Sequence, residues 1–412
     1  MTKRRILQPQ YVGKFKCRGP ECEDSCCLGW QVFIDKDTYQ QYRNCPDEIL
    51  RSQMNENVKR IRTNAGVENY AKIKLNEDGS CPFLDDGKLC TIQRRLGEEY
   101  LSRTCTTYPR LTNIVNGVLE RSLTMSCPEA AKLALLNPEL MEFDETEEAA
   151  GIRFIAGTVV NTDEVNSGQP AAKYFWELRV FIISLLQNRS YLLWERLVIL
   201  GLFCKNITDA VADGRVREIP LIIGTYLNRL EQGVYRQELT AIPDKMTIQM
   251  ELMKELVEQR LFTGVNSQRF LECFGKFLQG IQYTAASKIE ESGERYAAAY
   301  EKYYKPFMAR HEYILENYLV NFAFKNLFPI QGEKHIFDNY IRLIINYAMI
   351  KMLLIGLAGY YQENFGFDQV VELIQSFAKV IEHNDNFMRQ VFQLLKNNNM
   401  NTMAYMAILI KN

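Results

Sequence analysis

The sequence predicts an α+β protein: a small cysteine-rich N-terminal domain of mixed α/β character with short hairpins, built around a metal site, then a mainly α-helical domain. Three observations carry this prediction. Nine of the eleven cysteines (Cys17, Cys22, Cys26, Cys27, Cys45, Cys81, Cys90, Cys105 and Cys127) crowd into the first third of the chain, and only Cys204 and Cys273 lie beyond it. That same third holds alternating runs and hairpin turn signals. From about residue 173 onward, apolar residues recur at helical spacing. The chain therefore divides into a cysteine-rich metal or iron–sulfur domain over 1–137, an acidic and polar linker over 138–172, and a helical domain over 173–412.

Taken in order, Trp30–Ile34 reads as extended, and Asp35 or Asp37 is placed to cap a short helix through Thr38, Tyr39 and Tyr42. Tyr70–Leu75 alternates like a strand, with turns at Glu77-Asp78-Gly79 and Asp86-Gly87. Ile92–Leu101 predicts a short helix that delivers the chain to Cys105. Leu111–Val115 and Val118–Met125 flank Asn116-Gly117, a strong hairpin signal. Pro128 suits the first turn of a helix with Cys127 at its cap and Ala130–Leu136 as its body. Glu139–Glu148 contains six carboxylates, which suits a solvated linker, with one further strand within Arg153–Val160. Leu178, Phe181, Ile182, Leu185 and Leu186 open the helical half, and Val370, Val371, Ile374, Phe377 and Ile381 repeat the pattern near its end. Similar patterns recur near 192–210, 217–234, 245–262, 268–282, 289–304, 308–325, 338–360, 386–397 and 400–410.

Composition narrows the function. A chain of 412 residues exceeds one typical domain, and 47% apolar residues supply a full core without disulfide staples. A net charge of −1 gives no general attraction to nucleic acid or to an acidic membrane face. Met1–Gln10 is basic and polar with no apolar stretch behind it, unlike a secretory signal. The longest apolar run, Tyr340–Tyr361, is broken by Arg342, Asn346 and Lys351, so a buried helix is expected rather than membrane insertion. A cytoplasmic chain keeps its thiols reduced, and there such spacing points to metal or catalysis. Oligomeric state is open at this point.

Zinc and iron–sulfur clusters both take thiolates, commonly four. The opening run Cys17-x4-Cys22-x3-Cys26-Cys27, with Cys81, Cys90, Cys105 and Cys127, offers more than four, so either two sites form or some thiols only pack. Adjacent Cys26 and Cys27 rarely point at one centre, so one ligates and the other packs or serves elsewhere. Cys45 is the weakest candidate, because no neighbouring motif supports it. Buried thiols without metal are the plain alternative. Spacing alone leaves the metal open. The Cys-x3-Cys-x2-Cys pattern of radical enzymes fails at Gly29.

The residues resemble the flagellin lysine N-methylase family of bacteria. The resemblance rests on Phe15-Lys-Cys17-Arg-Gly-Pro-Glu-Cys22-Glu-Asp-Ser-Cys26-Cys27-Leu-Gly-Trp30, Ile34-Asp35-Lys36-x-Thr38-Tyr39, Cys81-Pro-Phe-Leu84, Leu89-Cys90-x-Ile92-Gln93, Leu101-Ser-x-Thr-Cys105-x-x-Tyr108-Pro-Arg110 and Ser126-Cys127-Pro-Glu-Ala-Ala131. Far downstream, Glu316-Asn-Tyr318-Leu-Val-Asn321 and Lys325-Asn-Leu-Phe-Pro329 also fit. The resemblance implies methylation of flagellin lysines with S-adenosylmethionine as donor, by a protein carrying an iron–sulfur cluster, of the 4Fe–4S type, with zinc as the alternative metal. No Gly-x-Gly-x-Gly turn joins a strand to a helix, so an ordinary doubly wound methyltransferase domain is not expected. Gly293, Gly356 and Gly359 read as packing residues.

A lysine amine attacks a methyl sulfonium only when neutral, and its free pKa is about 10.4, so the enzyme must desolvate it or supply a base. Tyr296, Tyr300, Tyr303 and Tyr304, followed by His311, Tyr313 and Tyr318, are candidates for an aromatic cage around a cation, or for a tyrosine-rich helix that merely packs. Tyr108 and Arg110, beside Cys105, are candidates to orient the cluster or bind a donor carboxylate. His311, His335 and His383 show no ligand spacing. The rival readings are a non-enzymatic zinc- or iron-chelating protein-binding adaptor and an electron-transfer protein.

Overall fold

The basic N-terminal residues are not a loose end. In the computed structural model, which describes residues 3–63, 65–162, 169–262, 264–265, 267–284 and 286–411, Lys3–Pro9 is strand β1, followed by the short helix α1, Gln10–Gly13. Two units form: Met1–Leu133 with Glu142–Val160, and Ala134–Met141 with Asn161–Asn412.

The first unit continues through β2 (Phe33–Ile34), α2 (Lys36–Arg43), α3 (Glu48–Asn57), β3 (Val58–Arg60), β4 (Ala71–Ile73), α4 (Thr91–Leu96), α5 (Arg103–Thr107), β5 (Arg110–Val115), β6 (Val118–Leu123) and α6 (Pro128–Leu135), then β7 (Phe143–Ala149) and β8 (Ala156–Val160). A five-stranded sheet runs β7-β1-β6-β5-β8, and a small one runs β2-β4-β3. Asn116 and Gly117 both take positive φ, 50° and 78°, as a tight type I′ turn requires. β5 and β6 accordingly pair from Arg110↔Leu123 to Val115↔Val118. Asp35 caps α2 through the Thr38 amide, 3.0 Å away. The core of the small sheet gathers Ile34, Tyr42, Leu50, Met54, Val58, Ile73, Phe83 and Ile92. Neither α3 nor β3 was anticipated from the sequence.

The stretch 138–172 departs from the linker expectation. Its acidic run is strand β7, paired antiparallel along all of β1 from Lys3↔Ala149 to Pro9↔Phe143. The expected strand within 153–160 is β8, a parallel neighbour of β5. The carboxylates that suggested solvation find cations across the sheet. Glu148 lies 2.7 Å from Arg121 Nη1 and 2.9 Å from Arg4 Nη2. Burial works against the Glu148 carboxylate, but the two guanidiniums hold its pKa below the ordinary value. Charge pairs 27 and 144 residues apart in sequence leave no local signature.

The second unit is helical: α7 (Phe175–Leu186), α8 (Leu193–Ala212), α9 (Ile219–Glu231), α10 (Val234–Leu239), α11 (Met246–Phe262), α12 (Gln268–Gly280), α13 (Ile289–Ala299), α14 (Lys305–His311), α15 (Tyr313–Lys325), α16 (Ile336–Tyr361), α17 (Phe367–Phe377), α18 (Asp385–Asn397) and α19 (Met403–Ile410). Wider π-helical turns occupy Tyr300–Tyr304 and Ala378–Glu382. Among the described residues, only the helical stretch Ile336–Asn364 is long and apolar enough to cross a membrane, and 94% of its apolar window is buried within the protein, as expected of a core helix. Gly280, Gly356 and Gly359 let α12 and α16 approach backbone to backbone. A Cβ at Gly280 would strike the Gly356 carbonyl, and one at Gly356 the Phe277 ring.

Candidate functional site

The cysteines lie at turns and element ends, which lets distant segments converge. The Cys81 amide donates to the Cys27 carbonyl at 2.8 Å, and isolated bridges join Leu28 to Ser80 and Leu84 to Cys90. These bonds bring the first cysteine run against the Cys81–Cys90 loop. α5 follows, capped by the buried Ser102, whose Oγ accepts from the Cys105 amide at 3.2 Å. Asp35 ties this helix to α2, because its carboxylate also accepts from the Arg103 amide at 3.0 Å. Burial opposes ionisation of Asp35, yet the Arg103 and Thr38 donors hold its pKa below the usual carboxylate value.

Electrostatic neighbourhoods show which thiols lie within reach of one another's charge. Cys81 feels the charges of Cys105, Cys90 and Cys26, and Cys105 feels those of Cys90 and Cys26. Cys22 feels Cys26 and Cys17, while Cys127 feels Cys22 and Cys26. Cys26 is thus common to two groups: one with Cys81, Cys90 and Cys105, the other with Cys17, Cys22 and Cys127. Cys27, by contrast, packs against the small-sheet core, and Cys45 is fully buried within it. Burial pushes the Cys81 thiol up to about 12 and the Cys127 thiol up to about 11, and raises Cys22 and Cys90 as well. Protonated thiols are the expected form without a cation, and a bound metal reverses that by deprotonating them. Among the described residues, no three His, Cys, Asp or Glu side chains are drawn into a closed metal-binding group.

Tyr108 stands beside both thiol groups and feels Cys127 and Cys26. Its ring lies 5.4 Å from Trp30, and its hydroxyl is 3.0 Å from Ser126 Oγ. Burial raises its pKa well above the phenol value, so it serves as a neutral hydrogen-bonding wall. The Arg110 guanidinium is 5.2 Å from the Phe15 ring, and loss of hydration followed by the Arg121 charge lowers its pKa. It opens β5.

In the helical unit, the Glu316–Asn321 segment forms a buried polar network. The fully buried Glu316 accepts from Arg196 Nη1 at 2.7 Å and from Arg189 Nη2 at 2.9 Å. The Asn317 amide donates to the Asn137 carbonyl at 2.8 Å, and the Tyr318 hydroxyl to Glu382 at 2.6 Å. These groups are structural anchors. Of the tyrosines expected to form a cage, Tyr296 and Tyr318 are buried, whereas Tyr300 and Tyr304 stack 5.7 Å apart and line a cavity of about 340 Å³. Trp194, Met308, Glu312, Tyr347 and Lys351 complete much of its wall. His311 instead packs on Phe307 and Phe367. Lys351 was read from the sequence only as a break in an apolar run. An ionisable residue in the middle of such a run was the signal for it.

Comparison with known proteins bears on the whole chain. Residues 179–409 match the family model for the C-terminal domain of FliB lysine N-methylases. A lysine-N-methylase of Salmonella typhimurium is 25% identical over 407 residues, covering 94% of this chain and 95% of the relative, and that of Salmonella choleraesuis aligns equally. The flagellar biosynthetic protein FliU of Salmonella muenchen is 33% identical over 141 residues, 34% of this chain and 82% of its own length. No solved structure matches. With more than half its length matched by the family model and nearly all of it aligned to lysine-N-methylases, the chain belongs to the FliB lysine N-methylase family.

Proposed function

We propose that the protein transfers methyl groups from S-adenosylmethionine to lysine side chains of flagellin in the cytoplasm, and that the thiols of its first unit hold an iron–sulfur cluster. The observation that supports the cluster assignment is that Cys81, Cys90 and Cys105 each lie within electrostatic reach of Cys26. The donor set fits the group chemically: Cys26, Cys81, Cys90 and Cys105 supply four sulfurs, the number such clusters take, with the Asp85 carboxylate near Cys90. These four would hold it, while Cys27 stays with the apolar core and Cys17, Cys22 and Cys127 form an outer set. Such a cluster supplies an electron-transfer centre and a tie between four chain segments. Tyr108 shields the thiols from one side, and the Asp35–Arg103 link holds the helix bearing Cys105. The flagellin assignment is supported by the FliU relative, a flagellar biosynthetic protein. The donor assignment is supported by membership of a lysine N-methylase family.

Anaerobic purification with iron and sulfide analysis tests the cluster. Wild type and Cys27→Ser are expected to carry stoichiometric iron and sulfide with broad absorption near 400 nm, and Cys26→Ser, Cys81→Ser and Cys105→Ser to lose both. Colourless protein with bound zinc would move the assignment to the chelating adaptor. Mass spectrometry of flagellin after incubation with S-adenosylmethionine tests the reaction, with a gain of 14 Da per methyl expected.

A further inference from the structure

The tyrosine-lined cavity of the helical unit contains a residue unsuited to mere packing. Lys351 lies on α16 one turn beyond Tyr347, within a long, largely buried apolar helix, and is 5% exposed. Its Nζ donates to the Ile410 carbonyl at 3.1 Å and sits 5.7 Å from the Tyr347 ring. The rest of the lining places groups of complementary character around it. Tyr300 and Tyr304 come from the π-helical turn, Trp194 from the start of α8, and Glu312 from the junction of α14 and α15. The Glu312 carboxylate is held by Arg196 Nη2 at 2.6 Å and the Leu193 amide at 3.0 Å. Lys305, also in the lining, is neutralised by Glu301 at 2.8 Å.

We propose that this pocket receives the substrate lysine side chain and that Lys351 Nζ takes the proton from its ammonium before methyl transfer. The inference rests on the lysine N-methylation reading above. Aromatic faces and a fixed carboxylate attract an alkylammonium, and a volume of about 340 Å³ accommodates it together with the end of a donor. Removal of a proton from that ammonium needs a base that is itself neutral near pH 7. Burial supplies one, lowering the Lys351 amine to about 7 against the opposing pull of Glu312 and Asp244. The proton passes from substrate Nζ to Lys351 Nζ. The freed lone pair forms the N–C bond while the C–S bond of the methyl sulfonium breaks and sulfur keeps the pair. The secondary ammonium product loses its second proton to solvent, as does Lys351. Burial, Glu312 and Asp244 set this titration; Lys305, Tyr300, Tyr304 and Tyr347 share the lining, and Arg196 reaches it through Glu312.

The test measures methyl transfer to a lysine-containing flagellin peptide, as a function of pH, for wild type, Lys351→Met, Lys351→Arg and Tyr300→Leu. Wild-type kcat/KM is expected to rise through about pH 7. Lys351→Met and Lys351→Arg are expected to lose roughly 100-fold or more, together with that acid limb, while circular dichroism and thermal unfolding show a folded protein. Tyr300→Leu is expected to raise KM for peptide and leave KM for the donor unchanged. A Lys351→Met enzyme within about threefold of wild type and with the same limb overturns the base assignment. A Tyr300→Leu enzyme impaired toward the donor alone places the sulfonium in this pocket and overturns the substrate assignment. If wild type methylates no lysine, the parent reading has failed. Calorimetric binding of the peptide without donor then decides the pocket, and an unchanged Kd in Tyr300→Leu overturns it.

Discussion

A buried amine that titrates near neutrality is costly to the fold, and its removal gives a sharp stability prediction. Unfolded, Lys351 has a pKa of about 10.4; folded, it is lowered to about 7. Between those values the unfolded chain binds more protons, so this residue makes stability rise with pH from about 7 to about 10.4. At 1.36 kcal/mol per unit, the deficit is about 4 kcal/mol at pH 7 and about 1 kcal/mol at pH 9.5. Lys351→Met removes that deficit, keeps the apolar volume, and leaves the Ile410 carbonyl without this donor, at a cost of about 1–3 kcal/mol. The variant is therefore expected to be more stable than wild type by about 1–3 kcal/mol at pH 7, and equal or less stable at pH 9.5. Urea unfolding of both proteins at the two pH values, followed by circular dichroism, measures this. A difference that does not change between the two pH values would refute the reasoning, because the effect would then owe nothing to the amine's proton.

Two other perturbations address the anchors. Glu316→Gln uncouples the buried Arg196 guanidinium from the more deeply buried of its two carboxylates and is expected to cost about 3–5 kcal/mol; a loss below about 0.5 kcal/mol by denaturant titration would show that Glu312 suffices for it. Asp35→Ala removes the acceptor shared by Thr38 and Arg103 and is expected to cost about 2–4 kcal/mol. It should also speed modification of Cys105 by a thiol reagent, and an unchanged labelling rate would contradict the role given to that carboxylate.

Local chemistry was legible where it was self-sufficient. Asn116-Gly117 predicted its hairpin because both residues must adopt positive φ, and Pro128 predicted the start of α6. The apolar periods predicted the helices of the second unit because each buries one face of its own sequence. Features made by distant partners were hidden. Strand β7 looked like a linker because its carboxylates are neutralised by Lys3, Arg4 and Arg121, and β1 looked like a polar end for the same reason. At the thiols, crowding and motif order were readable, but the packing of Cys27 against the small-sheet core was not, because that core is assembled from segments distant in sequence. For the tyrosines, spacing marked a common face. The widened turn at 300–304 and the arrival of Lys351 from α16 became visible only in three dimensions.

The pairing of β1 with β7 sets an order on how the first unit is made. On the ribosome, Lys3–Pro9 emerges first, gains a parallel neighbour only when β6 appears, and gains its antiparallel one only after Ala149. At about 5–20 residues per second, that leaves the opening strand waiting on the order of ten seconds with a bare hydrogen-bonding edge. Within that interval Cys81, Cys90, Cys105 and Cys127 follow Cys17 to Cys27 into the growing chain. Completion of the sheet and the gathering of the cysteine-bearing segments therefore overlap in time.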